Sequence, residues 1–360
     1  MVSIHGLEVA QVEVPLQGVE MSIGTFASLP HLIVRLRTSE GAGCGEATVI
    51  PEFMGETLAG VEEDLRRLDR ALAGIDAGDL ELVHAVVDRT APGSRSARSA
   101  VDQACHDAAA AAQDVPVWSL LGEQLREQVG CTWVIGSSDP EAVAAEGRRR
   151  VREGYGTLKL KVGLDDRLDL EALRRLRAAA GPDVAIRLDA NGAYAPEAAL
   201  RALEPMLRFE IELVEQPCAA DELAAMRRLR RELGVRVLAD ESVFSREDAE
   251  RLIEAEAADL VNVKVQKLGG LRPSLEVARL VEEAGLGCVV GSCLEAGPGA
   301  AASAHFAAVC ESSRLDSDLS AGLQLGESGS ALARRTAAAL GGLGVSVKVP
   351  EGAGLGIISC

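Results

Sequence analysis

The sequence predicts an α/β protein: a closed barrel of parallel strands and helices, preceded by a smaller α+β domain. Three observations predict it. From about residue 129, short β-like runs alternate regularly with amphipathic helical stretches, the signature of successive βα units. Three acidic residues close consecutive runs at even spacing: Asp189 in AIRLDAN, Glu215 in IELVEQP and Asp240 in VRVLADES, 26 and 25 residues apart. The first 128 residues lack this alternation and read as strands followed by helices.

In order, the N-terminal part starts with strand-like LEVAQVEVPL and HLIVRLRTSEGAGCGEA, where SEGAG supplies a hairpin turn. Helical runs follow in TLAGVEEDLRRLDRALAG, ELVHAVVDRT and the Ala-rich SARSAVDQACHDAAAAAQ. Barrel strands are expected at 131–136, 157–163, 184–190, 211–217, 235–242, 260–265, 287–293 and 313–318. Apolar residues at spacings of three and four mark the helices between them, as in DLEALRRLRAAA and AADELAAMRRLRREL. The tail LGVSVKVPEGAGLGI has no place in a closed eight-strand ring and is expected to fold back onto the N-terminal domain. The expected division is therefore 1–128 as a capping domain joined by 330–360, and 129–329 as the barrel.

Composition narrows the function classes. The chain has 360 residues, 48% hydrophobic and 26% charged, which suits a globular core. Aromatics are only 2%, so the core is aliphatic and stacking platforms for single-stranded nucleic acid are not expected. A net charge of −18 opposes nucleic-acid backbones and anionic lipid surfaces. No signal-peptide pattern and no run of about 18 apolar residues is present, so a cytoplasmic protein is expected. The eight cysteines show no C-x-x-C pair or zinc spacing and read as reduced thiols.

The chemistry lies at the strand ends. In a parallel barrel, the βα spacing sets Asp189, Glu215 and Asp240 at the C-terminal mouth of neighbouring strands. Three hard oxygen ligands there describe a Mg²⁺ site with room for substrate. Singly, each acid could serve only to cap the following helix; all three in register with lysines point to a site. Lys159 and Lys161 stand two apart on strand two, hence on one inward face. Their mutual repulsion is expected to lower a pKa toward that of a general base. Lys264 stands among apolar residues on strand six, across the ring from strand two. Two opposed bases beside a metal suit proton removal from a carbon next to a carboxylate and proton return on the other face. Asn191 is expected beside Asp189, and Glu295, at the end of strand seven, to touch substrate or pair with a lysine. His305, in apolar AAASAHFAA, reads as a packed core residue.

Lys-x-Lys at 159 and 161, DAN at 189–191, VEQP at 214–217, ADES at 239–242 and NVK at 262–264 together resemble the enolase superfamily, muconate lactonizing subgroup. GAGCGEAT at 41–48 and residues 100–123 resemble its capping domain, and VPEGAGLGI resembles its tail. The resemblance implies a modified (β/α)₇β barrel of the TIM type with Mg²⁺ on Asp189, Glu215 and Asp240. It implies Lys161 and Lys264 as the acid/base pair, Lys159 on the substrate carboxylate, and a homo-oligomer. Asp316 and Asp318 are similar to the Asp-x-Asp with which dipeptide epimerases hold the substrate ammonium. The expected activity is epimerisation of a dipeptide's C-terminal residue through an enediolate. The alternatives are N-acylamino acid racemisation, o-succinylbenzoate synthesis or muconate cycloisomerisation. Val134-Ile135-Gly136 departs from the hydroxyl residues common in dipeptide epimerases, and 319–330 is unusually polar.

No Lys or Arg precedes Arg35, whereas Glu13, Glu20, Glu52 and Glu56 are available. A substrate side chain that is neutral, apolar or cationic is therefore expected, with Met21, Phe26, Phe53 and Met54 as candidate pocket walls.

Overall fold

The computed structural model describes residues 1–16, 20–21, 24–319, 331–341 and 344–357. The polar run 320–330, Cys360 and the side chains of Glu20 and Met21 lie outside the described residues. In the N-terminal domain, strands Ile4–Pro15, Ser28–Thr38 and Gly41–Thr48 form an antiparallel sheet in chain order. Helices Leu58–Leu72, Leu80–Thr90 and Arg95–Ala112 follow, started by Thr57, Asp79 and Ser94, whose side chains accept from backbone N–H groups two or three residues into the helix. Helix Leu58–Leu72 buries Val61, Leu65, Leu68 and Leu72 on one stripe. The Ala-rich third helix lies directly on strand Gly41–Thr48. A Cβ on Gly43 or Gly45 would meet the carbonyl oxygens of Ala104 and Ala100 at 2.0 and 1.8 Å. Only glycine on one side and small residues on the other allow that approach.

Seven parallel strands follow as one curled sheet in sequence order: Trp133–Ile135, Thr157–Lys161, Ala185–Asp189, Leu213–Glu215, Val237–Ala239, Leu260–Val263 and Gly287–Val290. The eighth predicted strand is different. Residues 313–318 join the ring only through isolated bridges, Cys288 with Ser313 and Cys131 with Ser317. Hydrogen bonds from Ser317 N to Gly130 O (2.8 Å) and Asp318 N to Val290 O (2.8 Å) complete the closure. Arg187 explains how so irregular a segment is held. It is 1% exposed inside the ring and donates to Glu212 Oε2 (2.6 Å), Thr132 Oγ1 (3.0 Å) and the Asp316 carbonyl (2.7 Å).

Alternation along the strands sorts the interior into layers. Leu213, Leu238, Leu260 and Val289 form an apolar cluster low in the barrel. Glu215, Asp240 and Asn262, two residues on in their strands, lie above it, and Lys264 lies higher still. After the barrel, Ser346–Lys348 pairs antiparallel with Gln128–Gly130. Val117 N donates to Gly354 O and Leu355 N to Asp107 Oδ1, so the tail runs along the end of the Ala-rich helix. Among the described residues no helix is long and apolar enough to cross a membrane. Among the described residues six cysteines are free and buried, but Cys44 is disulfide-bonded, which corrects the expectation of reduced thiols at that position.

Candidate active site

Strand register brings the predicted groups together. Lys161 pairs with Asp189, and Asp189 with Glu215, on adjacent strands. Asp240 lies one residue beyond Val237–Ala239. All three carboxylates are at most 1% exposed. Each is engaged by an ammonium. Lys161 Nζ lies 2.7 Å from Asp189 Oδ2 and from Asn191 Oδ1. Lys159 Nζ donates to Glu215 Oε2 (2.9 Å) and Asp318 Oδ2 (2.5 Å). Lys264 Nζ donates to Asp240 Oδ2 (2.5 Å). Glu215 Oε1 also accepts from Asn262 Nδ2 (2.8 Å).

These contacts reverse one expectation. Burial pushes the Lys159 ammonium down, but Asp318, Glu215 and Asp189 outweigh it and hold its pKa well above the ordinary value. Lys264 is likewise raised, with Asp240 overcoming burial. Lysine–lysine repulsion does not govern Lys159, because its ammonium faces carboxylates at close range. Among the acids, burial pushes Asp240 up, but Lys264 and Lys267 outweigh it and hold it well below the carboxylate range. Glu215 is pushed up to about 7 by burial and by the charge of Asp189.

Asp316 and Asp318 separate. Asp318 reaches the lysine layer through Lys159. Asp316 sits one layer lower, with Oδ2 accepting from Thr157 Oγ1 (2.7 Å) and Oδ1 close against Gly130. Glu295 is buried beneath its own loop, where Oε2 accepts from Ser292 Oγ and Cys293 N while Oε1 has no partner. Among the described residues Glu295 forms no ion pair with a lysine. His305 is fully buried and accepts from Trp118 N (3.2 Å). Phe26 and Phe53 pack with Leu294, Ile50 and Ala296 in an apolar cluster between capping domain and barrel. Met54 is buried on the same short helix as Phe53, and Glu56 is spent on the N–H groups of Arg95 and Ser96.

Two family models match, one described as mandelate racemase/muconate lactonizing enzyme, N-terminal domain, over residues 4–122, and one as enolase C-terminal domain-like over 142–358. The chain belongs to the enolase superfamily. Among its relatives, a hydrophobic dipeptide epimerase of Enterococcus faecalis is 33% identical over 344 residues, 94% of either chain. An N-succinyl-L-Arg/Lys racemase of Bacillus cereus is 33% identical over 290 residues, 80% of this chain and 79% of the relative. The structure of a dipeptide epimerase from Enterococcus faecalis, complexed with Mg and the dipeptide L-Leu-L-Tyr, superposes with a TM-score of 0.92 at 30% identity. That match covers 99% of this chain and 100% of the other. With epimerases and racemases as relatives, this superfamily member is an isomerase.

The donor chemistry fits the Mg²⁺ seen in that related structure. Among the described residues no three His, Cys, Asp or Glu side chains already form a metal-holding cluster, because the carboxylates are turned onto lysines. Yet Asp189, Glu215 and Asp240 are hard oxygen donors on neighbouring strand ends, and they raise one another's proton affinity. Of the three, Glu215 alone is pushed up, to about 7, first by burial and then by the charge of Asp189.

Three participants escaped sequence reasoning. Lys267 is fully buried, donating to Asp240 O, Asp240 Oδ1 and Asn262 O at 2.7–2.8 Å. Glu241 accepts from Asn191 Nδ2 (3.0 Å), leaves Oε2 without a partner, and is pushed up to about 8 by burial and by Asp240 and Asp189. Arg187 is the third. Each had a signal: Lys267 stands one helical turn after Lys264, Glu241 adjoins Asp240, and Arg187 shares the inward face of Asp189.

Proposed function

We propose that the protein is a Mg²⁺-dependent epimerase acting on the α-carbon of a dipeptide's C-terminal residue. The observation that carries this reading is the placement of Lys161 and Lys264, each on a different carboxylate of one buried trio, from strand positions two and six of an eight-position ring. A substrate lying over the trio has one lysine on each face of its α-carbon. One lysine, as the free amine, takes the α-proton; the other, as the ammonium, returns a proton on the opposite face. Reversing the direction exchanges their roles. Asp189, Glu215 and Asp240 would hold Mg²⁺, which supplies positive charge to the substrate carboxylate as the α-proton leaves. Lys159, held by Glu215 and Asp318, would add positive charge on the same side. The apolar surroundings of Phe26 and Leu294, with no Lys or Arg before Arg35, support an apolar or neutral side chain on the epimerised residue.

A second reading has its own observation. With Asp316 a layer below, one carboxylate rather than two stands level with Lys159, and Lys159 already occupies it. An N-acylated amino acid, which has no free ammonium to hold, would not need the missing partner.

Incubation with Mg²⁺ in D₂O separates the two. Exchange at the α-position of apolar dipeptides is expected, and exchange confined to N-succinylamino acids would replace the first reading by the second. Lys161→Ala and Lys264→Ala should each abolish exchange from one stereoisomer only, while both abolish epimerisation.

A further inference from the structure

The two acid/base lysines are held differently. The polar partners of Lys161 among the described residues are Asp189 and Asn191, both on the barrel. Lys264 also meets the capping domain, where the ring of Phe53 covers its ammonium at 4.5 Å from the ring centroid. That is within the range at which an aromatic face attracts a cation. The ring is itself fixed. Phe244, in the loop after the fifth barrel strand, packs against it with centroids 5.6 Å apart and planes tilted by 47°. Arg95 then covers Phe244, its guanidinium 5.1 Å from the centroid and its Nε donating to Phe244 O (3.1 Å). Arg95 is anchored in turn, because its backbone N–H donates to Glu56 (2.6 Å). Lys264, Phe53, Phe244 and Arg95 thus form one stack that passes from barrel to cap, back to barrel, and ends on the cap.

We propose that Phe53 is a positioning residue for Lys264 alone, so that seating of the capping domain controls proton transfer on one face of the substrate and not on the other. The inference rests on the two-lysine reading above. A lysine side chain has four flexible carbons, and Asp240 restrains only its tip. The aromatic face restricts where the ammonium can go and keeps water from it, and small misplacements of a reacting group are costly in rate. Lys161 gets the same restraint from Asn191, whose amide is in turn bound to Glu241. A residue that merely walled the substrate pocket would slow both faces alike, since both stereoisomers share that pocket.

The test compares Phe53→Leu, which keeps an apolar side chain but removes the aromatic face, with Phe53→Tyr, which restores it. Initial α-exchange in D₂O is read separately from L-Ala-L-Leu and L-Ala-D-Leu with Mg²⁺ present. The stereoisomer silenced by Lys264→Ala identifies the Lys264 face. Phe53→Leu should slow exchange from that isomer by about thirtyfold, the scale of a desolvated cation–aromatic contact, and leave the other within about twofold. Phe53→Tyr should restore most of the loss. Phe244→Leu, which removes the support behind the ring, should reproduce the asymmetry and serves if Phe53→Leu does not fold. Equal slowing of both isomers, or no slowing of either, overturns the inference while leaving the epimerase reading intact. Absence of exchange from both isomers with the unaltered protein overturns both.

Discussion

At the residue scale, the site is a set of buried charges whose partners matter more than their positions. Lys159 and Lys161 were legible from strand alternation and Lys264 from its apolar neighbours, but the charge state of Lys159 was not, because alternation shows which residues share a face and not which carboxylate lies nearest. Asp240 illustrates this: one oxygen is taken by Lys264 and the other by Lys267, a residue one helical turn away that the strand pattern does not reach. His305 allows a test of burial remote from the site. Burial holds it down to about 4 from an ordinary 6.5. Because the folded-state value lies below the unfolded one, its stabilising share is complete above pH 6.5. It is lost as pH falls through that value toward 4, amounting to about 3 kcal/mol at most. Thermal unfolding should therefore drop between pH 7 and pH 5, and drop less in His305→Gln. Parallel pH profiles for the two proteins would refute this.

At the scale of elements, seven strands lie close to where they were expected, and the eighth expected segment, 313–318, closes the ring without forming a regular strand. SRLDSD has the composition of a strand end, yet only isolated bridges tie it to its neighbours. Its closure depends on Arg187, contributed by a strand more than 120 residues earlier, which no local pattern reveals. Removing one partner of a buried ion pair typically costs about 3–5 kcal/mol. Arg187→Met should destabilise the protein on that scale in urea and speed amide exchange in 313–318 above the rest of the barrel. Uniform exchange along the ring would mean that Arg187 is not the strut. The capping domain is seated by comparable devices. Glu46 accepts from Ala296 N, Gly297 N and Gly299 N at 2.8–3.0 Å, acting as an N-terminal cap for helix Pro298–Val309 from another domain. Gln266 exchanges two 2.7 Å hydrogen bonds with the backbone of Thr48.

For the whole molecule, a Mg²⁺ ion held by the carboxylate trio, as proposed, would tie metal binding to stability. A ligand that binds only the folded state adds about 2.7 kcal/mol at a hundredfold excess over its Kd. Protein stripped with EDTA should gain melting temperature on addition of Mg²⁺, and Asp189→Asn or Glu215→Gln should abolish the gain. A gain of equal size in either variant would place the metal elsewhere.

Fold class, the order of units and the identity of the lysines and carboxylates were determined by the sequence alone. They depend on two short-range regularities: the alternation of side chains along a strand and the near-constant length of a βα unit. Tertiary structure decided the rest. It placed Asp318 with Lys159 and Asp316 a layer below, brought Lys267 onto Asp240, and laid Phe53 over Lys264. These are contacts between residues brought together by barrel closure and domain seating. They are set by three-dimensional register and packing, which one-dimensional spacing does not encode.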